Sequence, residues 1–277
     1  MVINCQRPIP NSQDFARLLL LLGVGVWALG VVGCASKRIA LPSDPGAPFS
    51  DFNQVHSQIS AACTGVRTLT AELGLAGRAG DQRLRGRVVA GFARPDSMRL
   101  EGVAPLGPPA FILVARGNTA TLILPRDNRV LRGTRAEEIL GALTGVALAP
   151  ADLQAILDGC VTPTPRAVGG RLHQNGWASI ELDGGATVYL QRMGNAWQVR
   201  AAKRAGWQIE YPAWQGMFPQ VVRLRSDAQA GGVDLSATIS QVETNVALDA
   251  SAFTVNVPPG TTEMTLDELR KGAPLGQ

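Results

Sequence analysis

The chain has 277 residues, enough for one large domain or two small ones, and 45% of them are hydrophobic, which supports a sizeable core. The formal net charge is only +4, and the basic residues are neither clustered nor interleaved with aromatic ones, so a nucleic-acid partner is not expected. With two histidines and four cysteines at spacings that fit no zinc centre, neither a metal nor a cofactor is expected.

The first 33 residues are predicted to be an export signal. Arg7 and Arg17 precede an apolar run at 18–32, which is shorter than the roughly 20 residues of a membrane-spanning helix. The run ends in the sequence VVGC, which resembles a bacterial lipobox. The resemblance implies cleavage before Cys34 and attachment of acyl chains to it, and several such chains hold a protein on a membrane durably. The alternative is an uncleaved anchor with an incidental cysteine.

Three kinds of sequence pattern follow one another after Cys34. Residues 34–49 are rich in proline and glycine, which predicts a flexible tether. A helix is predicted from Phe52, with Ser50 as its N-cap, because apolar residues recur there at helical spacing. From residue 69 to 131 apolar residues alternate with polar ones, and this pattern predicts antiparallel strands joined by short turns.

Two helices are predicted to interrupt the strands. The first follows a capping box at 134–137, and the second begins at Pro150, a favourable first-turn residue. Strands resume between 177 and 240, with a further strand at 253–257 and a short helix at 266–269. The two central helices are well placed to cover one face of a sheet.

About eleven strands in one sheet cannot stay flat. The predicted fold is therefore mainly β with some α: an incomplete, strongly curved antiparallel barrel covered by short helices. We assign it to residues 50–258, followed by a C-terminal tail at 259–277. The mature protein is predicted to be a monomer.

One loop stands out at residues 100–113. Two apolar flanks surround prolines and glycines that cannot continue a strand ladder, and Leu106 lies at the tip between Pro105 and Gly107. Such a leucine is either tucked back into the core or held out towards something apolar, and single exposed leucines are common. Because the rest of the chain is typical of a membrane-tethered, concave β-protein, we predict that Leu106 is held out.

Several short motifs occur in a fixed order: Pro105-Leu106-Gly107, Ala136-Glu137-Glu138-Ile139-Leu140, Leu143-Thr144-Gly145, Pro150, Leu153 followed by Ile156, Leu157 and Gly159, then Trp207-Gln208-Ile209-Glu210-Tyr211 and Phe218-Pro219. In this order they resemble the LolB family of bacterial outer-membrane lipoprotein receptors, within the LolA/LolB lipoprotein-carrier superfamily. The resemblance implies a half-barrel whose concavity is plugged by helices. It also implies a protein that accepts acylated lipoproteins from a soluble periplasmic carrier and passes them into the outer membrane. Leu106 matches the membrane-inserting leucine of that family.

Such a role needs an apolar concavity, because an acyl chain of about 16 carbons held in water costs roughly 12 kcal/mol. The alternative is a dry core between sheet and helices, which has the same binary pattern. The candidates for the cavity lining are Leu73, Leu75, Val88, Leu100, Leu113, Leu122, Ile139, Leu143, Ile156 and Trp197.

Cys63 and Cys160 are the two cysteines that follow Cys34. An exported pair can form a disulfide, and the alternative is two buried thiols.

Catalysis is not expected. The chain has no G-x-S-x-G, H-E-x-x-H or P-loop motif, and the acidic pair Glu137-Glu138 is explained by its position at a helix start. The function that the resemblance implies is acyl-chain binding and lipoprotein transfer by a protein anchored in the outer membrane and facing the periplasm. The competing function is a lipid-binding, sensing or envelope-assembly lipoprotein of the same fold, without cargo transfer.

Overall fold

The computed structural model describes residues 38–272, apart from positions 81, 162–165, 205 and 227–231. The described residues belong to one compact unit that begins at Lys37. The predicted export signal and Cys34 lie outside the described residues. Among the helices that are described, none combines the length and the apolar character needed to cross a membrane.

Two meanders of antiparallel strands make up the sheet. The first half of the chain contributes β1 (Ala47–Pro48), β2 (Thr68–Ala79), β3 (Gln82–Ala93), β4 (Ser97–Val103), β5 (Ile112–Arg116), β6 (Thr119–Leu124) and β7 (Arg129–Thr134). The second half of the chain contributes β8 (Ala167–Leu172), β9 (Trp177–Leu182), β10 (Thr187–Met193), β11 (Ala196–Arg204), β12 (Trp207–Gln215), β13 (Phe218–Ser226), β14 (Val233–Thr244) and β15 (Thr262–Glu263). The helices are α1 (Phe52–Thr64), α2 (Ala136–Thr144), α3 (Pro150–Leu157) and α4 (Leu266–Gly272).

All fifteen described strands lie in one open, curled sheet, in the order β1-β8-β9-β10-β11-β12-β13-β14-β2-β3-β4-β5-β6-β7-β15. The pairing of β14 with β2 joins the two meanders. Every pair is antiparallel except β15 with β7, which is parallel. The predicted fold class, a strongly curved antiparallel sheet covered by short helices, is confirmed.

Apolar and polar residues alternate along the strands, and this alternation gives the sheet one apolar face. Leu69, Ala71 and Leu73 of β2 are buried, whereas Thr70 and Glu72 between them are only partly buried. The apolar row continues across the neighbouring strands, because consecutive register partners are Ala71, Ala90, Leu100, Leu113, Leu122 and Leu131. Helix α1 packs on β8 and β11, α2 packs on β6, and α3 packs on β4 and β13. The core therefore lies between the sheet and these helices.

The structure contains three strands that the sequence pattern did not reveal. β1 and β15 are only two residues long, and β8 contains Gly169 and Gly170, which hide its alternation. A Cβ at Gly170 would lie 2.4 Å from the Cβ of Phe52, so the strand needs a glycine where α1 approaches it.

The predicted strand at 253–257 is wrong. Residues 250–253 form a short 3-10 turn, in which the Asp249 carboxylate accepts a hydrogen bond from the backbone N–H of Ser251 at 2.7 Å. Residues 254–257 are irregular. Short polar side chains stabilise such local turns in competition with strand pairing.

Two predicted helix caps are also wrong. Asp51 rather than Ser50 precedes α1, and Arg135 precedes α2, with no side-chain cap at either position. Thr134 still belongs to β7, so the predicted capping box starts one residue too early. At the C-terminal ends, Gly65 follows α1, and Gly145 follows α2 with a φ of 72°.

The described part of the C-terminal segment packs on the rest of the fold. Strand β15 pairs with the free edge of β7, and α4 packs against α2. The guanidinium of Arg99 on β4 donates to the carbonyl oxygens of Ala252 and Thr254 at 3.1 and 3.0 Å. Both ends of the sheet therefore finish in strands of two residues.

Candidate functional site

The loop between β4 and β5 holds Leu106 away from the protein. The Leu106 side chain is 86% exposed, the highest value among the large apolar side chains of the described residues. Pro105, Gly107 and Pro108 around it are also exposed. Gly107 has a φ of +80°, which glycine adopts without the strain that a side chain would add.

The loop is fixed at its base and at its tip. At the base, the N–H of Gly102 donates to the carbonyl of Phe111 at 3.0 Å, and the N–H of Ala110 donates to the carbonyl of Gly102 at 2.9 Å. The buried Phe111 ring covers Gly102 so closely that a Cβ there would lie 2.6 Å from it. At the tip, the Arg126 guanidinium donates to the Leu106 carbonyl at 3.0 Å. The exposure of Leu106 is thus set by the loop's own contacts.

The ten residues predicted to line an acyl cavity come together between the sheet and the helices: seven lie on strands, Ile139 and Leu143 lie on α2, and Ile156 lies on α3. Eight of them are 0–5% exposed and belong to one apolar cluster: Leu73, Val88, Leu100, Leu113, Leu122, Ile139, Leu143 and Ile156. Leu75 and Trp197 are partly buried against the same cluster. In this conformation the predicted lining is the core of the protein.

A small cavity of about 20 Å³ lies between α1, the residues that follow α3, and strands β9, β10 and β11. Its apolar lining comprises Ile59, Cys63, Cys160, Leu182, Val188 and Val199. This volume holds about one water molecule, far less than an acyl chain requires. His56 also lines it, and burial lowers the pKa of this imidazole, so the side chain is neutral at neutral pH. An acyl chain could enter here only if α1 moved away from the sheet.

A larger hollow of about 490 Å³ is open to solvent beside the irregular end of β14. It is lined by Thr70, Ala71, Glu72, Val89, Gln241, Val242 and Glu243. Two carboxylates and an amide in this lining make it a poor place for an acyl chain.

A disulfide joins helices α1 and α3. Cys63 lies in the last turn of α1 and Cys160 lies just after α3, and the structure shows them bonded, which is one of the two alternatives that the sequence left open. On the other side of α3, the hydroxyl of the buried Tyr211 on β12 donates to the carbonyl of Ile156 at 3.2 Å. The two helices are therefore held to each other and to the sheet.

Next to the disulfide lies an ion pair that the sequence pattern did not indicate. The Arg94 guanidinium donates to the carbonyl oxygens of Val66 and Cys63 at 2.8 and 3.3 Å, and it lies 3.5 Å from the Asp158 carboxylate. The Asp158 side chain is 1% exposed, and neither of its oxygens accepts a hydrogen bond from a described residue. Burial raises the pKa of Asp158 to about 7, although Arg94 opposes this shift.

The two histidines have different hydrogen-bonding partners. The described residues contain no group of three or more His, Cys, Asp or Glu side chains arranged to hold a metal ion. His56 contacts the hydroxyl of Ser60 at 3.2 Å, within α1. His173 contacts Asp44 at 3.2 Å and Ser179 at 2.9 Å, and it thereby fixes the segment that leads into β1.

The chain is similar to known proteins only at the level of structure, and the similarities are distant. No protein-family model matches the chain, and no curated protein does. Among solved structures, a DUF1329 family protein of Desulfovibrio piger has 12% identity and a TM-score of 0.48, covering 75% of this chain and 98% of its own.

Two further likenesses are of the same kind. A LolA superfamily protein of Nitrosomonas europaea has 11% identity and a TM-score of 0.49, covering 73% of this chain and 98% of its own. A domain of Vibrio parahaemolyticus named for outer-membrane lipoprotein sorting has 10% identity and a TM-score of 0.46, covering 72% and 94%. Because each TM-score is below 0.5, we infer the function from this chain's own residues.

Proposed function

We propose that this protein is a lipid-anchored envelope protein that shelters the acyl chains of lipoproteins on its concave face and inserts them into the outer membrane. The single observation that carries this proposal is Leu106, which is 86% exposed at the tip of a loop whose own contacts hold it out. Keeping a leucine in water forgoes roughly 1.5–3 kcal/mol of burial energy. A bilayer is an apolar phase that would recover this energy.

The size of this energy suits transient contact with a membrane. One leucine entering the acyl region gains too little to anchor a protein, whereas several acyl chains at Cys34 would anchor it durably. Anchoring and insertion are therefore carried out by different groups. The lipids at Cys34 hold the protein on the membrane, and Leu106 disturbs the bilayer locally during transfer.

Acyl binding on the concave face requires a second conformation. The apolar residues there are packed together, and the cavity under α1 holds about one water molecule. Because Cys63 and Cys160 are bonded, α1 and the end of α3 must move together when the helices lift from the sheet. An acyl chain that enters would then contact the apolar side chains of the sheet that the helices contact in the described state.

The test replaces the apolar tip with a charge. We expect Leu106→Glu to fold and to be lipidated normally, but to release acylated cargo from the soluble carrier into outer-membrane vesicles roughly 10- to 100-fold more slowly, because the insertion energy of the leucine is lost. Thermal unfolding and membrane fractionation check the first part. The rate at which cargo leaves the carrier checks the second.

The matched control is Met217→Glu. Met217 is 67% exposed in the turn between β12 and β13, at the opposite end of the sheet. This variant should transfer cargo normally. Normal transfer by Leu106→Glu would remove the loop from the mechanism, and an equal loss in both variants would show a general effect of the added charge.

The packed interior favours one competing function. A lipoprotein that binds an envelope partner without carrying cargo needs no space beneath its helices, and in the described state that space holds little more than a water. Mass spectrometry of non-covalent acyl chains extracted from protein purified from its native membrane separates the two functions. About one acyl chain per protein supports carriage, and none supports the interaction protein.

A further inference from the structure

Four arginines lie on the outer face of the β2–β3 hairpin. Arg78 on β2 and Arg83, Arg85 and Arg87 on β3 are exposed, because Leu84 and Val88 between them face the core. Arg87 pairs with Glu72 at 3.2 Å. The other three have no ion pair or side-chain hydrogen bond with any residue that the structure describes.

The positions of these arginines do not stabilise the folded state. Arg78 and Arg83 are direct register partners, and like charges directly opposite each other destabilise an antiparallel pair. Asp234 on β14 is the partner of Arg78 on its other side, but the Asp234 carboxylate lies 3.8 Å from Arg225. Among the described residues, Arg78, Arg83 and Arg85 thus have no ion-pair partner, and Asp81 in the hairpin turn lies outside the described residues. A surface that concentrates positive charge is typical of one that meets an anion.

The same end of the sheet carries Leu106. Arg87 pairs with Val103, the last residue of β4, so residues 82–86 of β3 extend beyond β4 at the point where the loop leaves it. Arg126, in the turn between β6 and β7, contacts the loop from the other side through the Leu106 carbonyl. The described acidic side chains near the loop are Asp127, in that turn, and Glu101 on β4, which pairs with Arg99 at 2.6 Å.

We propose that Arg78, Arg83, Arg85 and Arg126, here called the basic rim, bind the phosphate groups of anionic lipids around the point where Leu106 enters the bilayer. Guanidinium groups bind phosphate oxygens through paired hydrogen bonds, and an apolar tip among basic residues is the pattern of surfaces that bind anionic membranes. This inference rests on the proposed function, because it takes Leu106 as the inserted residue. It adds that the bilayer is recognised by its charge.

The test uses residues 37–277, which form one compact unit with its own core and omit the predicted anchor. Binding is measured to vesicles of phosphatidylcholine alone and to vesicles that also contain phosphatidylglycerol. We expect the unchanged fragment to prefer the anionic vesicles, and the preference to weaken with added salt. The double variant Arg83→Gln/Arg85→Gln should lose roughly 20-fold in affinity for anionic vesicles and almost nothing for neutral ones.

The matched control is Arg67→Gln/Arg116→Gln. It removes two exposed arginines at the opposite end of the sheet, one just before β2 and one at the end of β5, and it should bind like the unchanged fragment. Equal losses in both double variants, or none in Arg83→Gln/Arg85→Gln, would overturn the inference.

Leu106→Glu separates this inference from the proposed function. We expect that variant to lose affinity for both kinds of vesicle. If the unchanged fragment does not discriminate between the vesicles while Leu106→Glu loses binding to both, insertion stands and the basic rim is overturned. If the arginines prove necessary for cargo transfer but not for vesicle binding, the rim contacts an acidic protein and the lipid assignment is wrong.

Discussion

Replacement of both bonded cysteines, as Cys63→Ala/Cys160→Ala, is expected to lower the free energy of unfolding by roughly 4 to 5 kcal/mol. The bond closes a segment with a sequence separation of 97, and the entropy that it removes from the unfolded chain grows with the length of that segment. Urea unfolding of residues 37–277, with and without a reducing agent, measures the change.

The single variant Cys63→Ala is the control for this prediction. It loses the bond but keeps the second cysteine, so it should be destabilised about as much as the double variant. Reduction should then have no further effect on either variant. An unfolding midpoint that equals that of the unchanged protein would show that the bond contributes nothing to stability.

The second large effect is the pH dependence caused by Asp158. Burial raises the pKa of Asp158 to about 7, whereas an aspartate in an unfolded chain has a pKa near 4. The folded state therefore holds the proton to a higher pH than the unfolded chain does, so the free energy of unfolding falls as the pH rises from about 4 to about 7. Over this range the loss from this one group is roughly 4 kcal/mol.

Asp158→Asn tests this dependence, because the amide resembles the protonated acid and does not titrate. We expect the variant to be about as stable as the unchanged protein near pH 4 and roughly 2 to 4 kcal/mol more stable at pH 8. Urea unfolding at several pH values measures the difference between the two proteins, which cancels the contributions of other groups. Asp127→Asn, at an exposed turn, is the control. A difference that stays constant with pH would contradict the raised pKa of Asp158.

The sheet and the loop were predictable because each depends on local pattern. Alternation along residues 69–73 requires one face to be buried, and a curled sheet follows from the number of such strands. The prolines and glycines around Leu106 exclude a strand ladder, so the order of residues along the chain is enough to locate that loop. The exposure of Leu106 was predicted because the rest of the chain is typical of a membrane-tethered, concave β-protein.

Other features depend on contacts between distant segments. Arg94 lies in a turn whose sequence is typical of solvent-exposed loops, and nothing local indicates that it will face Asp158, which follows α3. β1 and β15 pair through two residues each, which is too short for any periodicity. A packed core and an empty acyl cavity share one pattern of apolar residues, so the pattern alone cannot distinguish them.

The two-residue strands at the ends of the sheet have a consequence for how the protein behaves among its own copies. An open sheet of fifteen strands would normally present two long rows of unpaired backbone groups, on which another chain could template. Here β1 pairs with residues 171–172 of β8 at one edge, and β15, which returns from the C-terminal segment, pairs with residues 129–130 of β7 at the other. Very short edge strands limit edge-to-edge pairing between chains, so we expect a chain truncated before Thr262 to expose the rest of the β7 edge and to self-associate more readily.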